Sequence, residues 1–335
     1  MCYSLIRKFL FLLDAERAHD LTLWILKKTL PLWGRLKFQS LAEYPVNLWG
    51  ITFPNPIGLA AGLDKNGDYI EPLQNIGFGF IEVGTVTPRP QIGNPRPRIF
   101  RIPDAYAIIN RMGFNNKGVD HLVENLKKRK SSGIIGANIG KNFDTSLENA
   151  SEDYIHCLGK VYAHVDYVVI NISSPNSPGL RDLQSAYYLD KMLANLDLAQ
   201  QQLQSQGQKK IPFLIKIDPD LNEAALEEFV SVILKHQVDG VIATNTTVNH
   251  RLVAHLTHGH EQGGLSGEPL LLQSTQILQK LTQLLAGKLP VVGCGGVSSA
   301  NDASEKFAAG ASLVQIYTGL IYKGPSLIRN ILENI

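Results

Sequence analysis

The sequence predicts an α/β protein, a (β/α)8 barrel with a small helical extension at its N-terminus. Three observations point there. Eight strand-like runs alternate with helix-like stretches, polar residues recur at successive strand ends, and the last two strands end in glycine-rich turns. The eight runs are 56–61 (PIGLAA), 79–85 (GFIEVGT), 134–139 (IIGANI), 167–172 (YVVINI), 212–217 (PFLIKI), 239–244 (DGVIAT), 290–294 (PVVGC) and 312–317 (SLVQIY). Each is apolar on both faces. Parallel strands covered by helices have that composition, whereas half-exposed antiparallel strands alternate. Eight such units suit a closed barrel. A doubly wound open sheet is the runner-up, because counting does not separate the two.

Helices are expected over 118–130, 146–165, 184–207, 221–236, 270–286 and 301–309. The stretch 86–133 is long and rich in Pro, Gly and Arg, which suggests an excursion over the barrel mouth. Upstream, Asp14 is placed to cap a helix running to about Thr29, with Pro31 as its stop. The chain then divides into an extension, 1–40, and a barrel, 41–335.

The extension differs chemically from the rest. It carries seven Lys/Arg against three Asp/Glu, a net of +4, which leaves −2 for the remainder of a chain of net +2. Leu5, Ile6, Phe9, Leu10, Leu12, Leu13, Leu21, Trp24 and Ile25 recur in it at helical spacing. Basic and apolar residues together suit a helix pair lying in a membrane interface; a helical appendage packed on the barrel fits as well. The apolar run Phe9–Leu13 ends at Asp14, far short of the ~20 residues of a membrane span. The near-neutral total does not suggest a nucleic-acid partner. Cys2, Cys157 and Cys294 are too dispersed for a metal site or a disulfide framework, and the reading is an intracellular protein.

The rim of the barrel is where such folds place their chemistry. Lys65, Thr85, Asn138, Asn171, Lys216 and Thr244 with Asn245 stand at or just past six consecutive strand ends. The turns Gly293–Val297 and Tyr317–Gly319 let backbone N–H groups approach a phosphate. A strand-end lysine has two readings here: a Schiff-base nucleophile, or a fixed charge facing an anionic ring. A phosphorylated cofactor whose ring becomes anionic on reduction, such as flavin mononucleotide (FMN), favours the second. Asn110, Asn138, Asn171, Asn176 and Asn245 offer paired donors and acceptors to a planar amide-like ring; Asn115 and Asn116 read as turn residues. His255, His258 and His260 lack the spacing of a metal site and read as a solvated, mobile loop with the potential to act as a lid.

Several segments in order, AAGLDKNG (60–67), EVGTVTPRPQIGNPRPRIFR (82–101), NRMGFNNKG (110–118), IGANIGKN (135–142), NISSPNSPGLR (171–181), IKIDPD (215–220), GVIATNTT (240–247), GGLSG (263–267), GCGGV (293–297) and QIYTG (315–319), resemble dihydroorotate dehydrogenases over nearly the whole chain. The serine-containing loop and the helical extension resemble the quinone-dependent, membrane-associated class 2. The soluble class is similar but uses a cysteine base, and no Cys lies between Cys157 and Cys294.

The resemblance implies FMN contacts at Ala61, Gly62, Lys65, Thr85, Asn138, Asn171, Lys216, Thr244, Gly267, Gly296, Tyr317 and Thr318. It implies dihydroorotate contacts at Lys65, Asn110, Arg111, Met112, Gly113, Phe114, Asn171, Asn176, Asn245 and Thr246, with Ser174 as the catalytic base. His19 and Arg101 are the expected quinone contacts. The implied setting is the cytoplasmic side of a bacterial inner membrane, held peripherally on anionic lipid, with the chain acting as a monomer. Glu268 departs from the pattern, which more often has a basic residue there, and so does the histidine-rich segment 250–260.

Overall fold

A computed structural model describes residues 2–33 and 44–335. The expected domain boundary at 40 lies outside them. Two helices open the chain, α1 (Cys2–Leu12) and α2 (Ala15–Trp33). Asp14 caps α2 as its position predicts, its Oδ1 accepting from the N–H groups of Glu16 (3.1 Å) and Arg17 (3.0 Å). Pro31 does not stop the helix. It sits in the last turn, where a proline removes one backbone bond and little helix remains to break.

A hairpin follows, β1 (Val46–Leu48) and β2 (Ile51–Phe53). Three-residue strands are too short to show a period. The hairpin plugs the bottom of the barrel. Trp49 Nε1 donates to the carbonyl of Asp239 at 2.7 Å, and Phe53 is fully buried against Phe80.

The eight expected strands are all present. They are β3 (Ile57–Leu59), β4 (Phe80–Val86), then β7 (Ile134–Ile139), β8 (Tyr167–Asn171), β9 (Phe213–Ile217), β10 (Gly240–Ala243), β12 (Val291–Cys294) and β13 (Ala311–Ile316). They pair in parallel around a closed barrel, β13 returning to β3, which excludes the open sheet. The interior is filled by Phe80, Tyr167, Val169, Leu214, Ile242, Val292 and Leu313. Room for its aromatics comes from glycine: a Cβ on Gly58 would lie 2.2 Å from the Phe80 ring, and one on Gly136 2.1 Å from the Tyr167 ring. A larger core lies between the strands' outer faces and the surrounding helices. These are α3 (Ile70–Gln74), α4 (Val119–Lys128), α5 (Ala150–Val161), α6 (Ala186–Ser205), α7 (Glu223–Ile233), α8 (Leu271–Leu285), α9 (Ala300–Ala308), α10 (Thr318–Lys323) and α11 (Ser326–Leu332).

The excursion is an antiparallel sheet. β5 (Ile99–Ile102) and β6 (Ala107–Asn110) form a hairpin, and β11 (Gly264–Gly267) adds to β6. The GGLSG segment supplies this third strand. The histidine-rich segment packs beside this sheet. Val253 is fully buried with Phe100, Ile109 and Leu265, and the His258 ring lies 5.6 Å from that of Phe100. The segment is thus anchored by an apolar side chain rather than fully solvated. The described residues contain no cluster of His, Cys, Asp or Glu able to hold a metal.

Candidate active site

One cavity of about 600 Å³ runs from the N-terminal helices to the C-terminal ends of the barrel strands. Its outer part is apolar, lined by Ile6, Leu10 and Phe11 of α1 and by Ala18, Leu23 and Leu26 of α2. Its inner part is polar and glycine-rich. Ala61, Gly62, Lys65, Thr85, Asn110, Met112, Gly113, Phe114, Asn171, Ser174, Asn176, Lys216, Thr244, Asn245, Thr246, Gly267, Gly296, Tyr317 and Thr318 all meet there, and His19 and Arg101 line the passage between.

Two expected residues are placed otherwise. Asn138 is fully buried behind the cavity wall. Arg111 follows Asn110 at the end of β6, and strand alternation sends the two side chains opposite ways. Its guanidinium pairs with Glu261 at 2.8 Å and lies 4.4 Å from the centre of the Phe100 ring, so the cavity lining does not include it. Asn116 serves the turn, accepting from the Gly118 N–H at 2.8 Å. Glu268 accepts from Ser298 Oγ (2.9 Å) and pairs with Lys323 (3.3 Å), which compensates its charge locally.

The serine loop follows directly from β8. Ser174 is buried, and its Oγ accepts from the Asn176 N–H at 3.3 Å. Ser173 turns inward instead: its Oγ donates to Asn171 Oδ1 (3.3 Å) and accepts from Asn245 Nδ2 (3.0 Å). The loop is held by Arg181, which sequence reasoning passed over. Its guanidinium donates to the Ser173 carbonyl (3.4 Å), the Thr246 carbonyl (3.0 Å) and Asp220 Oδ2 (2.9 Å). The signal was present as an Arg soon after a Gly-containing loop and an Asp-Pro-Asp at the next strand end.

The electrostatics favour an anion. Lys216 Nζ, on β9, has no hydrogen-bond or ion-pair partner among the described residues, although the side chain is buried and lines the cavity. An unpaired buried cation is costly, so the site is built to receive negative charge. Burial, and after it the Arg98 charge, lowers the Lys65 ammonium to about 8; its Nζ donates to the Gly62 carbonyl at 2.8 Å. Burial and then Lys65 push His19 down to about 4, so its imidazole is neutral at pH 7. Arg101 donates to the Leu10 carbonyl (3.1 Å) and to that of Leu13, and stands 4.5 Å from the centre of the Phe11 ring, fastening the α1–α2 turn to β5. Glu16 of α2 is clamped to Arg98 at 2.6 Å beside β5.

The glycine loops are open to a phosphate. Gly295 and Gly296 have φ of +112° and +85°, and a Cβ on Gly296 would come within 2.3 Å of Leu271 Cα. A backbone cradle, an unpaired buried lysine and a set of asparagines fit a phosphorylated ring cofactor.

Comparison with known proteins decides the family. The family pattern described as dihydroorotate dehydrogenase matches residues 44–335. The chain belongs to the dihydroorotate dehydrogenase family. It is 53% identical over 336 residues to a dihydroorotate dehydrogenase (quinone) of Pectobacterium carotovorum, and 52% identical over 337 to one of Yersinia pseudotuberculosis, each covering 100% of both chains. Among solved structures, the Eimeria tenella dihydroorotate dehydrogenase in complex with ferulenol is 36% identical, with a TM-score of 0.88 over 95% of this chain and 90% of that one. Its ligand-free form gives 0.87, over 96% and 94%. The family is flavin-dependent, and the full-length likeness to quinone-dependent members places this chain in class 2.

Proposed function

We propose that the chain oxidises (S)-dihydroorotate to orotate in pyrimidine biosynthesis, using FMN and passing the electrons to a membrane quinone. The observation that carries this is one continuous cavity. It joins a serine, an unpaired lysine and paired asparagines to an apolar passage between two amphipathic helices. Ser174 takes the proton from one carbon of the substrate. FMN, when bound, supplies a two-electron acceptor for the hydride from the neighbouring carbon. Lys216 offsets the negative charge that reduction brings, at an electrostatic rather than covalent site. Ala61, Gly62, Thr85, Thr244, Gly267, Gly296, Tyr317 and Thr318 hold the cofactor, and Asn138 supports it from behind the wall. Asn110, Asn171, Asn176, Asn245 and Thr246 hold the pyrimidine amides and carboxylate. Met112 to Phe114 and Lys65 close the other side.

The extension, taken as 1–40, admits the quinone past His19 and Arg101. Phe9 (68% exposed), Leu12 (82%) and Trp24 (54%) present an apolar face beside Arg7, Lys8, Arg17 and Lys28. That face suits peripheral attachment to an anionic bacterial inner membrane from the cytoplasmic side. No described helix is long and apolar enough to cross a membrane. The chain is taken to act as a monomer.

The test is the visible spectrum of the purified protein before and after anaerobic dihydroorotate. Yellow flavin bands that bleach on mixing are expected, with Ser174→Ala bleaching about 10²–10⁴-fold more slowly. A protein that neither carries nor takes up FMN, or whose bands persist with dihydroorotate, overturns the reading.

A further inference from the structure

Glu82 lies on β4 inside the barrel and is fully buried. It is absent from the cavity wall and has no ion-pair partner among the described residues. Every hydrogen bond to it comes from a donor. Its Oε1 accepts from Asn138 Nδ2 (2.7 Å), and its Oε2 from Gln315 Nε2 (2.5 Å) and the Tyr167 hydroxyl (3.5 Å). Burial, and after it the Glu82 charge, raises Tyr167 well above the ordinary tyrosine range, so that hydroxyl stays a donor.

The two ends of an asparagine amide are almost the same shape, so only its partners decide which end points where. With Asn138 Nδ2 committed to Glu82, Asn138 Oδ1 faces the other way. It accepts from Thr85 Oγ1 (2.5 Å) and Asn171 Nδ2 (3.1 Å). Asn171 Oδ1 is thereby turned to accept from Ser173 Oγ, the Ser173 N–H and Asn245 Nδ2, each at 3.3 Å. Asn245 Oδ1 in turn accepts from the Thr246 N–H at 2.9 Å. Three amides in series take their direction from one carboxylate, and the last two line the cavity.

We propose that Glu82 is a positioning residue that fixes which end of the Asn171 and Asn245 amides faces the substrate. The inference rests on the reading that these two asparagines hold dihydroorotate. A carboxylate suits the role because it is acceptor-only and gives a reversed Asn138 amide nothing to bond. Removing its oxygens takes the acceptor from three buried donors, Asn138 Nδ2, Gln315 Nε2 and the Tyr167 hydroxyl.

The chemistry also says which substitution reverses the direction. In Glu82→Gln the new Oε1 keeps the two donors, Gln315 Nε2 and the Tyr167 hydroxyl, and the new Nε2 faces Asn138, whose amide turns over to accept it. Glu82→Met offers no acceptor at all.

The experiment titrates orotate into FMN-loaded wild type, Glu82→Gln, Glu82→Met and Tyr167→Phe, following the perturbation of the visible flavin spectrum. Flavin content, melting temperature, kcat and KM are measured alongside. Glu82→Met should lose at least tenfold in orotate affinity, with KM rising more than kcat falls and flavin retained. Glu82→Gln should lose at least tenfold as well, and Tyr167→Phe, which leaves the carboxylate in place, should stay within about threefold of wild type. Unchanged orotate affinity in Glu82→Met or in Glu82→Gln overturns the inference, as does a tenfold loss in Tyr167→Phe. If Glu82→Met does not fold, Glu82→Gln decides by the same threshold. A wild type that binds FMN but gives no orotate perturbation overturns the functional reading, and this inference with it.

Discussion

Replacing Lys306 by methionine is expected to stabilise the protein at neutral pH. Lys306 lies on α9 with no exposed surface, and its Nζ donates to Ser274 Oγ at 2.6 Å. No carboxylate pairs with it among the described residues. Burial lowers its ammonium from 10.5 to about 8, with the nearby Cys294 and acidic groups opposing weakly. Between those values the unfolded chain binds the proton that the folded one has released, so stability rises with pH across the window. Below about pH 8 the full cost is present, about 3 kcal/mol by linkage; at pH 9.5 about 1 kcal/mol remains. Methionine keeps the length and removes the charge, but forfeits one hydrogen bond worth about 1 kcal/mol. The variant should therefore gain about 2 kcal/mol at pH 7 and nearly nothing at pH 9.5. Urea unfolding of the FMN-saturated enzyme at the two pH values measures both. A variant that is less stable at pH 7, or whose difference from wild type does not change with pH, refutes the reasoning.

Three further outcomes are expected. Gly296→Ala forces a Cβ to 2.3 Å from backbone at a φ of +85°, so FMN retention should fall at least tenfold, read from fluorescence of released flavin. Arg98→Met leaves Glu16 buried with Arg96 as its remaining partner, at a cost of about 3 kcal/mol. Burial raises the Glu16 carboxyl, but Arg98 and Arg96 overcome this and hold it below 4.5; the clamp's contribution is thus present above that pH and fades as pH falls below it. Proteolysis within α2 should accelerate in that variant, with quinone KM raised and flavin reduction by dihydroorotate retained. The double variant Phe9→Asp with Trp24→Asp removes two exposed aromatics, each worth about 1.5–3 kcal/mol when fully buried. Sedimentation with anionic vesicles should drop more than tenfold, while turnover with a water-soluble quinone analogue persists.

The sequence exposed the barrel because its strands are buried on both faces, which leaves unbroken apolar runs such as Tyr167–Ile172. It exposed most of the rim because polar residues at strand ends contradict those runs. The features it hid are of two kinds. The sheet of β5, β6 and β11 joins Ala107–Asn110 to Gly264–Gly267, segments about 150 residues apart. Neither alternates clearly enough to announce a partner. Arg111 shows the same limit at a single residue: its motif marks the neighbourhood, but the pleat decides which side chain faces the cavity.

The second kind is the buried charge. Lys306 stands in ANDASEKFA, whose polar composition reads as a solvated helix, yet it is enclosed where Gly293 leaves space beside it. Glu82 stands in an apolar strand, GFIEVGT, and was absorbed into a motif. An acidic residue in a strand buried on both faces has no solvated side to turn to, so it must meet donors inside the barrel. Its position in the strand was legible; its partners Asn138, Gln315 and Tyr167 come from β7, β13 and β8, and only closure of the barrel brings them to one carboxylate. A charged residue that breaks an otherwise continuous buried strand is therefore a mark of a polar network, and here that network leads to the cavity.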